Sequence, residues 1–219
     1  MFTGIIEAQA SIMNIHQGIF TIENCFLDDI FLWESIAHDG ACMTITEIWT
    51  QSKHKNKPYY KFFAMEETLR ITNLWSKKDG DIFNVERAMI YGKRVDGHMV
   101  SGHIDTIAEV NDISKNLDNS RNFTIKLNSK WCNYVIQKGS IAINGISLTI
   151  VNIEQYIKNT FLLTVYIIPY TRENTNLSRC HIWDYINIEF DMMGKYILQK
   201  ISNNKEALQN NQSSVNYSW

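Results

Sequence analysis

The 219-residue chain lacks most of the features that would place it in a specialised class. Its four cysteines (Cys25, Cys42, Cys132 and Cys180) are scattered and form no CxxC pair. That excludes a disulfide framework and reads as reduced thiols in a cytoplasmic protein. Excess charge is missing too: 21 basic against 23 acidic residues leave −2. No nucleic-acid surface and no electrostatic membrane anchor follows from such a balance. No apolar run approaches the roughly 20 residues of a membrane span. The opening MFTGIIEAQA lacks the basic and apolar stretches of a signal peptide, so the expected location is the cytoplasm.

Chemical signatures are equally sparse. There is no P-loop and no GxGxxG to cradle a phosphate. No Ser-His-Asp order or paired-carboxylate motif stands out. His98 and His103 flank MVSG; read on a strand, residues five apart point to opposite faces and cannot share one ion. No cysteine joins them at ligand spacing, so no metal is expected.

What the chain does contain is a repeat. SIAHDGACMTI, residues 35–45, returns as SIAINGISLTI at 140–150, an offset of 105. MFTGIIEAQASI from Met1 pairs with MVSGHIDTIAEV from Met99 at an offset of 98. ETLRITNL from Glu67 pairs with YTRENTNL from Tyr170, and GDIFNVER from Gly80 with WDYINIEF from Trp183, both at 103. Four blocks in the same order at nearly constant spacing indicate two homologous domains in tandem.

Each block reads as β structure. In ISLTI, Ile146, Leu148 and Ile150 alternate with Ser147 and Thr149, the pattern of a half-buried strand. YINIEF predicts Ile186, Ile188 and Phe190 inward, with Asn187 and Glu189 on the opposite, polar face. Asp39-Gly40 and Asn144-Gly145 signal tight turns. Only Glu66 to Leu74 and Tyr170 to Leu177 resemble short helical turns. Many short strands with little helix predict an all-β chain of small closed barrels. The boundary falls between Tyr91 and Gly97, giving domains 1–96 and 97–191. In 192–219, Ile197, Ile201 and Leu208 recur at helical spacing before a polar tail that is expected to be loose after Gln209.

Taken alone, Cys42 reads as a small hydrophobe and His103, which stands where the first repeat has Ile5, as a structural histidine. Against that, two domains that share a scaffold and differ in one titratable group can give similar sites unequal roles. Gly4, Gly40, Gly102 and Gly145 recur at matched positions. They serve turns, or they let backbone approach a flat ligand. Thr44 and Thr149, Thr68 and Thr171, and Ser35 and Ser140 supply neutral donors and acceptors nearby. Such a set suits an uncharged, polyhydroxylated heterocycle.

MFTGIIE, the doubled SIAxxGxxxT, ETLRITNL, NVERA, GHMVSGHID and INIEFD…GKY together resemble the riboflavin synthases, from Met1 to about Tyr196. The resemblance implies two six-stranded Greek-key barrels and a C-terminal helix that assembles homotrimers. It implies conversion of two molecules of 6,7-dimethyl-8-ribityllumazine into riboflavin and 5-amino-6-ribitylamino-uracil without a cofactor, a transferase reaction. The active site would lie between subunits, and association with lumazine synthase is a further implied partnership.

Carried over position by position, the resemblance gives the first barrel Gly4, Ile5 and Ile6, then Cys42, Met43 and Thr44. Phe63, Ala64, Met65, Glu66, Glu67 and Thr68 complete that set. The second barrel receives Gly102, His103 and Ile104, then Lys138, then Ser147, Leu148 and Thr149. Tyr166, Ile167, Ile168, Pro169, Tyr170 and Thr171 complete the second. Phe2, Ser35, Cys42, His103, Ser147 and Asp191 match positions tied to activity. Departures are local: Trp33-Glu34 replaces a Gly-Asp-like turn, Thr106 follows GHID where Gly is common, and Tyr170 stands at a variable position. The competing class is a lumazine- or flavin-binding optical accessory, a non-catalytic protein on the same tandem fold in which one pocket has decayed.

Overall fold

The computed structural model describes residues 1–26, 29–50, 57–155 and 159–213; the end of the polar tail, residues 214–219, lies outside them. The first half forms β1 (Ala8–His16), β2 (Ile19–Glu23), β3 (Ser35–His38), β4 (Ala41–Trp49), β5 (Tyr59–Phe63) and β6 (Ile82–Arg87). The second forms β7 (Thr106–Lys115), β8 (Arg121–Asn128), β9 (Ser140–Ile143), β10 (Ile146–Gln155), β11 (Thr160–Ile167) and β12 (Tyr185–Phe190). Each set closes into an antiparallel barrel, β1-β2-β5-β4-β3-β6 and, strand for strand, β7-β8-β11-β10-β9-β12.

The repeat extends to the irregularities. Bulges interrupt the ladders between Ile12 and Asn14 and between Ile45 and Glu47, and again between Val110 and Asp112 and between Ile150 and Asn152. A bulge bends a strand and tightens its twist, which closing so few strands requires. The two expected helical regions are α1 (Glu66–Ile71) and α2 (Pro169–Glu173), each followed by a 3-10 turn, Asn73–Ser76 and Asn176–Arg179. A third 3-10 segment, Ser129–Tyr134, was not anticipated; Asn128 caps it through Lys130 N, and its Trp131 and Tyr134 rings pack on Phe190. The C-terminal helix α3 (Met192–Ser213) runs past Gln209, where a loose tail was expected. No described helix is long and apolar enough to cross a membrane.

Each barrel has its own core. In the first, Phe20 and Phe62 stack at 4.9 Å, with Phe83 beside them. His38 sits in this cluster, fully buried, its Nε2 2.9 Å from the Tyr60 hydroxyl. Burial pushes the His38 imidazole down to about 3, so it is neutral. The matching second-barrel positions are Ile143 and Leu163, which are plain aliphatic core. Each fully buried apolar side chain stabilises the fold by about 1.5–3 kcal/mol.

The alternation in YINIEF misleads. Asn187 and Glu189 are buried, as are Asn84 and Glu86 in β6. These faces are covered by the other barrel rather than by water. Asn73 N donates to Asn187 Oδ1 at 2.6 Å, and Asn176 N donates to Asn84 Oδ1 at 2.7 Å. Within each barrel a turn residue holds the same strand: Asp39 Oδ1 accepts from Asn84 N and Asn144 Oδ1 from Asn187 N. Gly40 and Gly145 touch; a Cβ on either would come within 2.8 Å of the other's backbone nitrogen. Phe2, Ala37, Val100 and Ala142 fill the centre, where Phe2 pairs with Val100. The barrels therefore pack around a local two-fold axis, with one polar seam and one apolar plug.

Candidate binding and catalytic site

The segments that precede the barrels cross over. Gly4, just ahead of β1, docks not on Cys42 of its own barrel but on Ser147 of the second, whose N–H donates to Gly4 O at 2.8 Å. Gly102, ahead of β7, docks on the first barrel: Cys42 N donates to Gly102 O, also at 2.8 Å. Both glycines have φ near +80°, and a Cβ would stand 2.6 Å from Ser147 Cβ or 2.5 Å from Cys42 Cβ. Only Gly allows this approach. The flanking apolar residues follow suit, since Ile104 is part of the first barrel's core and Ile6 packs against the second.

Two carboxylates hold the crossed segments. Glu86 accepts from Thr3 N, Thr3 Oγ1 and Gly4 N at 2.6, 2.8 and 3.0 Å. Glu189 does the same for Ser101 N, Ser101 Oγ and Gly102 N at 2.6, 2.7 and 2.9 Å. Burial pushes the Glu86 carboxyl up, and these donors oppose the shift. Neither residue was anticipated, although both occupy the same column of NVER and NIEF.

The expected contact sets are thus regrouped. One cup combines Cys42, Met43 and Thr44 with Gly102, His103 and Ile104; the other combines Ser147, Leu148 and Thr149 with Gly4, Ile5 and Ile6. In each, Ser and Thr lie opposite one another in register, Ser35 with Thr44 and Ser140 with Thr149. Thr44, Thr149, His103 and Ile5 are exposed, whereas Met43, Leu148, Ala64, Ile104 and Ile167 turn into the cores. Those five can offer a ligand little beyond backbone. Phe63 and Met65 line the approach to α1, and Tyr166 and Ile168 the approach to α2; all four are exposed. Glu66, Glu67 and Thr68 lie in α1, where Glu67 is bound to Arg70. Pro169, Tyr170 and Thr171 lie in α2. Lys138 is exposed and has a left-handed backbone, φ 67°. Phe2 is wholly buried beneath Gly102, so it supports the site from below.

His98, weighed in the sequence only as a metal ligand, is a further functional candidate. Its Nδ1 lies 2.7 Å from Ser147 Oγ. Burial lowers its pKa, and the carboxylate of Asp191 pulls it the other way. Asp191 also accepts from Met193 N at the start of α3. The histidine is thus bonded to the serine and feels the charge of the aspartate, although no ordered motif announced them. His98 and His103 do not lie on a strand, contrary to the reading that set them on opposite faces: only Val100 between them forms a bridge. Cys25 and Cys180 are not nucleophiles at neutral pH, because burial raises their thiols to about 11 and about 12.

Residues 3–88 and 101–191 each match the family model described as the lumazine binding domain. The riboflavin synthase of Actinobacillus pleuropneumoniae is 40% identical over 204 residues, covering 91% of this chain and 89% of that protein. The riboflavin synthase of Escherichia coli (strain K12) is 35% identical over 217 residues, 96% of each chain. That of Bacillus subtilis (strain 168) is 35% identical over 213 residues, covering 94% of this chain and 93% of the relative. Among solved structures, LumP complexed with riboflavin superimposes with a TM-score of 0.72 at 18% identity, over 87% of this chain and 99% of that one. LumP complexed with 6,7-dimethyl-8-(1'-D-ribityl) lumazine gives 0.70 at the same identity and coverage.

Proposed function

This chain belongs to the riboflavin synthase family of tandem lumazine-binding proteins, and from that premise we infer that it is an enzyme that makes riboflavin. Two molecules of 6,7-dimethyl-8-ribityllumazine react; a four-carbon unit passes from one to the other, leaving riboflavin and 5-amino-6-ribitylamino-uracil. The reaction is a group transfer between two copies of one substrate.

The observation that carries this reading is the pair of crossed cups, Gly4 on Ser147 and Gly102 on Cys42, built from the same parts in one chain. A reaction that consumes two identical molecules needs two sites of the same shape. Holding the two rings face to face supplies much of the rate through orientation. One lumazine must also lose a proton from its C7 methyl group while the other is attacked at ring C7. In the Ser147 cup, His98 is neutral near pH 7 and bonded to Ser147 Oγ, so Ser147 can relay a proton to the imidazole. The Cys42 cup has His103 instead, exposed at its rim.

Exposed Ile5, Phe63, Met65, Tyr166 and Ile168 surround the cups in a single chain. Proton removal from carbon favours a site closed to water, so a second copy of the chain completes each one. Met193, Tyr196, Ile197 and Ile201 form an uncovered apolar stripe on α3, which supports assembly into a homotrimer.

Purified protein incubated with 6,7-dimethyl-8-ribityllumazine tests the reading. Riboflavin should appear at half the rate of lumazine loss, since two are consumed for each product. A stable fluorescent complex without turnover would reject the enzyme in favour of an optical accessory.

A further inference from the structure

On the polar seam between the barrels lies a second cleft of about 460 Å³, whose lining includes none of Gly4, Cys42, Gly102 and Ser147. Its size suits a small organic ligand. The two 3-10 turns and the starts of β6 and β12 line it, so its residues come in pairs 103 apart: Asn73 with Asn176, Ser76 with Arg179, Gly80 with Trp183.

The pairs differ where it matters. Gly80 has φ 89° and Trp183 has φ 80° at the equivalent position. For a bulky residue this conformation is a true outlier, the kind of strain that collects at functional sites. The tryptophan is nevertheless 68% exposed, so core packing does not account for it. Tyr185 also lines the cleft and packs on Trp75, ring centroids 6.2 Å apart. Arg179, where the first barrel has Ser76, makes no ion pair with any described residue. The acids on the rim are occupied with their own turns: Asp81 accepts from Lys78 N and Asp184 from His181 N.

The floor is unbalanced as well. Asn144 Nδ2 donates to Asn176 Oδ1, but Asp39 stands in the place of Asn144 and its side chain has no N–H to offer, and the equivalent acceptor, Asn73 Oδ1, is buried without a partner among the described residues. Lys77 answers the Asp39 charge at 2.7 Å.

We propose that this cleft binds a flat heteroaromatic ligand carrying an anionic group, the ring stacked on Trp183 and the anion on Arg179. Exposed aromatic faces and an unpaired guanidinium are what such a molecule selects. The proposal is independent of the chemistry at the cups.

The natural repeat supplies the controls. Trp183→Gly and Arg179→Ser install residues the first barrel already carries on the same backbone, so both variants should fold. The full chain, labelled with 5-fluorotryptophan, is titrated with riboflavin 5'-phosphate, riboflavin and inorganic phosphate, and the Trp183 resonance, assigned by its loss in Trp183→Gly, is followed by 19F NMR. The phosphorylated flavin should shift that resonance saturably. Riboflavin, or Arg179→Ser with the phosphorylated flavin, should need roughly tenfold more ligand, and phosphate alone should bind still more weakly, lacking the ring. Equilibrium dialysis should find one fewer bound flavin phosphate per chain in Trp183→Gly. An unmoved resonance at millimolar ligand, or identical titrations with and without Arg179, would overturn the site.

Discussion

His98 and Ser147 are 49 residues apart in the chain, yet Nδ1 and Oγ meet at 2.7 Å. Among the described residues Cys42, which takes the place of Ser147 in the first barrel, has no such histidine partner. His98→Gln should keep a polar partner for Ser147 but remove the proton acceptor. Turnover should fall by roughly 10²-fold, with ligand affinity nearly unchanged. Because burial lowers the His98 pKa, its neutral form persists below the ordinary imidazole range. The acid limb of the wild-type rate profile should therefore lie below pH 6.5, and the variant should lose it. An unaltered rate would leave His98 a structural role only.

The crossed segments predict an effect that crosses barrels. Glu86 belongs to the first barrel but clamps the Gly4 segment that serves Ser147, while Glu189 belongs to the second and clamps the segment that serves Cys42. Glu86→Gln faces amide donors with an amide donor and should cost about 1–3 kcal/mol. Ligand binding should weaken first in the Ser147 cup; Glu189→Gln should weaken the Cys42 cup. Changes in NMR shifts near Thr149 against those near Thr44 separate the two cases.

His38 gives the fold an acid-sensitive point. Its pKa falls to about 3 in the folded protein, against about 6.5 for an ordinary histidine. The unfolded chain therefore binds the extra proton in that window, and stability present above pH 6.5 is lost as pH falls toward 3. Changing His38→Ile together with Tyr60→Leu copies the second barrel's Ile143 and Leu163. The double variant should show a flatter dependence of Tm on pH between those values. An identical slope would mean that other groups dominate.

If the cups are completed between subunits, two defective chains should rescue each other. Thr44→Arg obstructs one cup and Thr149→Arg the other, and neither homotrimer should turn over. After unfolding and refolding together, up to roughly a quarter of sites should pair two intact cups, by counting partners at a heterologous interface. Mixed trimers confirmed by native mass spectrometry but wholly inactive would refute the arrangement.

Much of this architecture could be read in the sequence, for reasons that also mark the limits. The doubled SIAxxGxxxT declares two domains because both copies need the same strand, turn and strand. ISLTI reads correctly, since Ser147 and Thr149 do lie off the core. YINIEF does not, because the covering layer over Asn187 and Glu189 is the other barrel, and alternation carries no mark of what lies beyond a polar face. The exchange of the Gly4 and Gly102 segments was illegible for a related reason. Either glycine could fit either barrel by local pattern, and only the way the chain is strung chooses between them. His98 was weighed only as a metal ligand, because its contact with Ser147 spans 49 residues and leaves no local pattern.

That exchange bears on how the chain could have come to exist. A single barrel cut from it would carry an arm whose seat is on the other half. Two copies of one such barrel could seat each other's arms and make a symmetric pair with two identical cups. Joining the two genes end to end would keep that embrace while freeing each half to change alone. Ile5 and His103, Cys42 and Ser147, and Asp39 and Asn144 are the places where the halves have since parted company.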